Sequence, residues 1–355
     1  MSQRFLITGA GSIAKRHANN LLARMPDAEI IVVTRDPTQR FLQWPVGIQS
    51  VASFEQGLAT HPDAVMICSI SASHAPELLK VLELGLPVFV EKPLLTSLAD
   101  LQRIEALLAT AHPASVVGCN LRFLPSLRRL KQALHDGLIG TVVRAHLEVG
   151  QWLPDWRPGR ALESSYSADA GFGGGVVFDL VHEIDAALWL LGDLTLVSAV
   201  GGHLSSLPIR APDTAVALLC AASGHPVTVS LDYVSRKPVR RYVFVGEGGT
   251  LIWDMQSGRL SLMTATGEKV LADSSVDFLM TATYVDELAE WLVAIKTNTQ
   301  ATTCPLQTAL PTARLMLNIA SFVGVGLSWI SSPFAPGAAL LAYLAKTFAR
   351  CAANR

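Results

Sequence analysis

Arg4-Phe5-Leu6-Ile7-Thr8-Gly9-Ala10-Gly11-Ser12-Ile13-Ala14 is the stretch whose reading decides the fold. A short apolar run of strand character ends in G-x-G-x-x-A, and helical spacing follows over residues 13–24. In that context the first glycine allows a tight turn and the second lets backbone approach a pyrophosphate. The small third residue lets the helix pack closely on the strand. The free amides and positive dipole end of the helix favour an anion at the same place.

The alternation continues outward. Residues 29–34, 63–69, 87–90 and 114–119 read as further strands, and residues 74–84 and 98–108 as amphipathic helices. Continuous apolar strands separated by helices predict a parallel sheet covered on both faces. Past residue 121 the texture changes. A helix is expected over 124–135, a half-buried strand over 140–150 and a Gly- and Trp-rich loop over 151–175. One continuous helix is expected over 177–191. Strands follow at 196–204, 214–221, 226–234, 241–245, 250–253 and 259–263, with only short turns between them. That spacing predicts a mainly antiparallel sheet. The expected division is 1–121, a dinucleotide-binding α/β domain; 122–325, an α+β domain; and 326–355, an apolar extension.

Composition bounds the partners. Lys plus Arg is 28 and Asp plus Glu is 29, so nothing in the net charge of −1 favours nucleic acid. Charged residues are 16% and the hydrophobic class 50%, which excludes a disordered chain and suggests apolar surface buried between subunits or at a membrane. Five scattered cysteines, with no CxxC pair, argue against a zinc site or a disulfide framework, and no metal is expected. The N-terminal apolar run is too short for a signal peptide, so the cytoplasm is the expected compartment.

Three further places carry chemistry. After the second strand, Thr34-Arg35-Asp36 stands where a dinucleotide ribose is read. The Arg35 fork suits a 2′-phosphate and Asp36 falls late for a ribose hydroxyl, so NADP is favoured over NAD. Ser69, Ser71 and His74 follow one buried strand and Glu91-Lys92-Pro93 follows the next, at the carboxyl ends where open α/β sheets bind ligands. The Lys92 charge suits an alkoxide-like transition state. Finally, Gly173-Gly174-Gly175 opens the helix carrying Asp179, His182, Glu183 and Asp185. On a continuous helix Asp179 and His182 share a face, and a histidine flanked by carboxylates suits general acid–base work. In isolation these residues could also be a salt-bridged surface, against which the glycine triplet argues, or two ligands of a metal, for which no third well-placed His or Cys stands out.

At these motifs the sequence resembles the glucose–fructose oxidoreductase/inositol dehydrogenase/rhizopine-catabolism (Gfo/Idh/MocA) family. The resemblance is carried by GAGSIA, by DAVMICSISASHAPELLKVLELGLPVFVEKPL, by NLRFLPSLRRLKQALHDGLIGTV and by GGGVVFDLVHEIDAALWLLG. It implies an N-terminal Rossmann domain, a C-terminal open sheet through which homo-dimers or tetramers form, and a nicotinamide cofactor, NAD(P). It implies Lys92 and His182 as catalytic residues, with Asp179 as the carboxylate that tunes His182, three residues upstream where many relatives show four. Cofactor contacts are expected from Gly9, Gly11, Ser12, Ile13, Thr34, Arg35, Ser69, Ser71, His74, Glu91 and Lys92. The loop Trp156-Arg157-Pro158-Gly159-Arg160 with Ser164-Ser165-Tyr166-Ser167 looks like an amino-sugar or nucleotide-sugar subgroup, although Ala161-Leu162 departs from its acidic-aromatic pair. Arg122, Arg157, Arg160 and Tyr166 are the expected substrate contacts. The expected activity is hydride transfer to or from a sugar-like secondary alcohol or ketone. An NAD-dependent glycosidase and a non-catalytic cofactor sensor stay open as alternatives. Residues 315–345 hold no charge but are interrupted by Asn318, Pro333 and Pro336, which reads as a docked helix plus an apolar oligomer contact rather than a membrane span.

Overall fold

The structure, a computed structural model, describes residues 3–34, 44–45, 47–109, 113–156, 162 and 165–323. The chain opens with β1 (Arg4–Thr8), α1 (Ser12–Arg24), β2 (Glu29–Val33), β3 (Gln49–Val51) and α2 (Phe54–Leu58). Next come β4 (Ala64–Ile67), α3 (Ser71–Glu83), β5 (Val88–Val90), α4 (Leu98–Leu108) and β6 (Ser115–Val117). All six strands are parallel, in the order β3-β2-β1-β4-β5-β6. Every residue of β4 and β5 is buried, which is why their sequences are uninterrupted apolar runs. The order reverses at β1/β4, the switch point of a doubly wound sheet, where ligands bind beyond the carboxyl ends.

The second group of elements is α5 (Pro125–His135), β7 (Val142–Gly150), α6 (Val176–Asp179), α7 (Val181–Leu191), β8 (Leu194–Gly202), β9 (Thr214–Ala221) and β10 (Pro226–Asp232). It continues with β11 (Val239–Gly246), β12 (Gly249–Asp254), β13 (Arg259–Thr264) and β14 (Gly267–Ala272). The eight strands run β14-β13-β12-β11-β7-β10-β9-β8, antiparallel except where β10 lies parallel to β7. On β9, Ala215, Ala217 and Leu219 point inward while Val216 and Leu218 point out. That period of two is expected of a sheet with one packed face. Trp253 of β12 is fully buried and donates its Nε1–H to Ser126 Oγ of α5 at 2.9 Å.

The chain closes its described part with α8 (Met280–Thr297) and α9 (Leu306–Val323). Two compact units result: Met1–Phe123 with Met280–Ala313, and Leu124–Leu279 with Arg314–Arg355. Met280–Ala313, expected within 122–325, thus group with the first unit, where α8 packs. Trp291 of α8 is fully buried there, edge-on to Phe5 of β1 and Phe89 of β5 at centroid distances of 6.1 and 5.8 Å. The expected extension over 326–355 lies outside the described residues.

Candidate active site

In the first unit the turn after β1 is tight and leads into an uncapped helix start. Gly9 has φ +77°, and a Cβ on it would lie 2.6 Å from the Cys68 carbonyl oxygen. Gly11 caps α1 without a side-chain hydrogen bond, and nothing lies within 4 Å of where its Cβ would be. Gly11 and Ser12 are exposed, Ile13 is partly exposed and Ala14 is fully buried against the sheet. An open, uncapped helix start with the third motif residue packed inward fits a dinucleotide pyrophosphate. Thr34, at the end of β2, is buried and donates its backbone N–H to Val51 O at 2.9 Å. Arg35 and Asp36 lie outside the described residues.

The turns after β4 and β5 are tied together beneath that turn. The Thr8 and Ser69 hydroxyls donate to Glu77 Oε2 of α3 at 2.7 and 2.9 Å. Burial raises the Glu77 carboxyl above its usual range against these two hydrogen bonds. Ser71 is buried at the first turn of α3. His74 is buried with Nδ1 2.7 Å from Pro93 O and Nε2 3.1 Å from Ser69 O. Burial lowers its pKa, against the two carbonyl contacts, which favour the charged ring. His74 thus bridges the turns after β4 and β5. Glu91, too, makes contacts within the protein. Its carboxylate turns inward, with Oε1 2.7 Å from His17 Nε2 and Oε2 accepting from the Lys92 N–H at 3.2 Å. Lys92, partly exposed, stands between buried Glu91 and Pro93, and the Lys92–Pro93 peptide is cis.

Arg122, expected to touch substrate, is 5% exposed and donates from Nη1 to Thr303 O at 3.0 Å and Thr308 Oγ1 at 3.4 Å. It pins the segment before α9 to the first unit, so its guanidinium is engaged inside the protein. His17, Glu91 and Glu287 bring one nitrogen and two carboxylate oxygens within 4.8 Å of one another, close enough to make a candidate cation site.

In the second unit the expected continuous helix over 177–191 is broken. Leu180 has φ −101° and ψ +30° and separates α6 from α7. Asp179 therefore ends one helix while His182 sits in the first turn of the next, and the shared-face spacing argument does not apply. Asp179 is buried and accepts from the Tyr233 hydroxyl at 2.7 Å. Burial, reinforced by the Asp179 charge, pushes the Tyr233 phenol well above its usual range, so it remains the donor. Sequence reasoning missed Tyr233, which lies one residue past β10 and 54 positions from its partner. His182 is buried. Glu183 is fully buried but faces away from it in bonding terms, with Oε1 2.8 Å from Arg240 Nε and accepting from the Tyr242 hydroxyl at 3.0 Å. The glycine triplet makes this geometry possible. Gly173 and Gly175 have φ of +77° and +115°, and a Cβ on Gly174 would collide with the Tyr166 carbonyl. Tyr166 itself is partly exposed, in a 3₁₀ turn over Tyr166–Ala168. Arg157 and Arg160 lie outside the described residues.

Two family models match the chain. One, described as an oxidoreductase family with an NAD-binding Rossmann fold, covers residues 3–119; the other, a GFO/IDH/MocA C-terminal domain, covers residues 127–252. Inositol 2-dehydrogenase 4 of Saccharopolyspora erythraea is 30% identical over 65% of this chain and 68% of its own length. Among solved structures, myo-inositol 2-dehydrogenase from Lactobacillus plantarum superposes with a TM-score of 0.75 at 17% identity, over 92% of this chain and 98% of that one. The WlbA dehydrogenase from Bordetella pertussis, solved with NADH and UDP-GlcNAcA, gives 0.74 at 20% identity, over 90% and 94%.

Proposed function

The chain belongs to the GFO/IDH/MocA family of NAD-binding oxidoreductases, and from that premise we propose that it moves a hydride between a nicotinamide dinucleotide and a secondary alcohol or ketone of a sugar or cyclitol. The observation that carries the reading is the carboxyl edge of the first sheet. The open Gly11 cradle follows β1 and the Lys92 amine follows β5 on that same edge. The dinucleotide supplies the hydride acceptor or donor. Gly9, Gly11, Ser12 and Ile13 present backbone to its phosphates, and Arg35 favours a 2′-phosphate, hence NADP. Lys92 holds and polarises the reacting oxygen, which acquires negative charge in the transition state. His182 takes the hydroxyl proton in oxidation or returns it in reduction. Asp179, itself fixed by the Tyr233 hydroxyl, orients His182. Tyr166, Arg157 and Arg160 remain the proposed substrate contacts. The inositol dehydrogenases and the nucleotide-sugar dehydrogenase among its likenesses support a polyhydroxylated ring as substrate. We propose further that copies of the chain meet through the open face of the second sheet.

The test is a screen of inositols, sugars and nucleotide sugars with NAD and NADP in parallel, followed through reduced nicotinamide. With the substrate found, Lys92→Ala and His182→Asn are each expected to lower kcat about a hundredfold or more while NADH binding, titrated by fluorescence, stays near wild type. His182→Asn is also expected to remove the near-neutral limb of the pH–rate profile. A fully active His182→Asn enzyme with an unchanged profile would overturn the assignment of the proton. Arg35→Ala is expected to weaken NADPH more than NADH, and equal weakening would overturn the NADP preference.

A further inference from the structure

Three elements of the first unit bring titratable side chains to one buried point. His17 of α1 and Glu287 of α8 are fully buried, and Glu91, in the turn after β5, is 6% exposed. Their nitrogen and oxygen atoms lie within 4.8 Å of one another. The wall is aromatic: the His17 ring sits 4.8 Å from Phe89 and 6.3 Å from Tyr284, centroid to centroid. Gly118 closes the other side, where a Cβ would come within 3.1 Å of the Glu91 carboxyl.

The hydrogen bonds are unequally distributed. Glu91 is satisfied by His17 Nε2 and by the Lys92 N–H. Both carboxyl oxygens of Glu287, and Nδ1 of His17, are buried with no hydrogen-bond partner among the described residues. Two carboxylates this close in a dry site do not both ionise. The titratable groups facing Glu287 from the elements around it do not relieve the conflict. Glu91 and Cys304 act on it in the same direction as burial, which raises its pKa well above the carboxylate range. Cys68 is itself pushed up by burial and then by Glu91, Glu77 and Glu287, so it stays a thiol. His74 feels the charge of Glu91, and the Lys92 backbone N–H donates to Glu91.

A bound cation is the other way to settle such a cluster, and the geometry disfavours it. His17 Nε2 and Glu91 Oε1 are 2.7 Å apart, a hydrogen-bond distance. Two ligands at right angles on one ion, with bonds of about 2.1 Å, stand about 3 Å apart. The proton between them also occupies the lone pair a metal would use.

We propose that the His17–Glu91–Glu287 triad holds one labile proton, carried by Glu287, and that neutral Glu287 is a positioning residue for the Glu91–Lys92 turn. With Glu287 neutral, the contacts of Glu91 are undisturbed. Glu91 accepts from His17 and from the Lys92 backbone, and so fixes the strand end from which the Lys92 amine projects. The functional weight of this proposal rests on the reading of Lys92 as the group that holds the substrate oxygen. Ionising Glu287 at alkaline pH sets two carboxylates against each other and loosens that turn. A displacement of about 1 Å at a reacting group costs on the order of a hundredfold in rate.

The test begins on the wild-type holoenzyme, which needs no variant to fold. Infrared spectroscopy with ¹³C-labelled glutamate is expected to show a protonated carboxyl stretch at neutral pH, persisting in the NADH complex and absent in Glu287→Gln. The Lys92 amine is then followed by NMR after reductive methylation with [¹³C]formaldehyde, its resonance assigned by loss in Lys92→Ala. In the wild type that resonance is expected to shift as the buried carboxyl ionises. Glu287→Gln, which mimics the neutral acid, is expected to keep the neutral-pH position and abolish the shift, whereas Glu287→Ala displaces it at every pH. No protonated carboxyl, or one unaffected by Glu287→Gln, overturns the proposal. So does a stoichiometric divalent metal in the purified protein that Glu287→Gln removes. An enzyme that oxidises no alcohol but keeps the band overturns the proposed function and leaves the triad; a working dehydrogenase without the band does the reverse.

Discussion

A Cβ on Gly9 would press on the Cys68 carbonyl oxygen at 2.6 Å, and its φ of +77° is one that L side chains avoid. Gly11, two residues on, has φ −77° and open space where a Cβ would stand. The two glycines of the motif therefore fail differently. Gly9→Ala is expected to lower the unfolding free energy by at least about 1–2 kcal/mol, read by urea denaturation without cofactor. Gly11→Val is expected to change stability by no more than about 1 kcal/mol, because a helix cap is the only thing it weakens. Its branched side chain instead fills the space of the pyrophosphate, so NADH affinity should fall at least tenfold, about 1.4 kcal/mol or more. Equal stability loss in both variants, or unchanged NADH affinity in Gly11→Val, would show that the turn is not a phosphate cradle.

Among the elements, the turn between β8 and β9 shows how one buried carboxylate can hold a loop. Asp213 is fully buried and accepts from the Leu204 and Ser205 amides at 2.9 and 3.0 Å and from the Ser205 and Thr214 hydroxyls at 2.6 and 3.0 Å. Burial would raise its pKa, but these hydrogen bonds outweigh it and hold the carboxyl below its usual value of 3.8. The folded state then binds fewer protons than the unfolded one. The contribution to stability is present above the unfolded carboxylate value and is lost as pH falls through the lower, folded value. Asp213→Ala is expected to destabilise the protein by about 1–3 kcal/mol at neutral pH and to flatten the acid limb of stability, measured by urea unfolding across a pH series. The same residue shows what sequence reading reaches. Thr214 onward was legible as a strand from its alternation, whereas the anchor at Asp213 depends on residues eight and nine positions back. The strands β1, β4 and β5 were legible because burial on both faces writes an apolar run. The three-residue β3, Gln49–Val51, and the charged β14, Gly267–Ala272, carry no such pattern and escaped. The break at Leu180 escaped too, since its residues are all helix-compatible and only the glycines ahead of it hinted at an irregular start. In the candidate site, Lys92 was visible at a strand end, but the inward turn of His74, Glu91 and Arg122 was not. Charge in sequence does not reveal which way a side chain points, and Glu287 and Tyr233 are partners supplied by distant parts of the chain.

At the scale of the whole molecule, the low charged fraction of 16% has to be reconciled with where apolar groups end up. No helix among the described residues is long and apolar enough to cross a membrane. The second sheet instead leaves apolar side chains on the face opposite its core. Val200 of β8 is 59% exposed, and Val216 and Leu218 of β9 are 44% and 39% exposed. Val200 and Val216 are direct cross-strand partners, so these residues form one patch rather than scattered exceptions. Across the next strand the outward row turns polar, with Ser230 opposite Val216 and Thr228 opposite Leu218. An apolar centre bordered by hydroxyls is the composition of a protein interface. The protein is therefore expected to run as a multiple of its 38.0 kDa chain mass in light scattering at micromolar concentration. Val216→Glu combined with Leu218→Glu places like charges at the centre of the patch, where desolvating them opposes association. Both side chains already face solvent in the single chain, so the double variant should unfold within about 1 kcal/mol of the wild type. It should nevertheless fall to monomer mass. A wild type that is already monomeric, or a double variant of unchanged mass, would place the buried apolar surface somewhere other than this face.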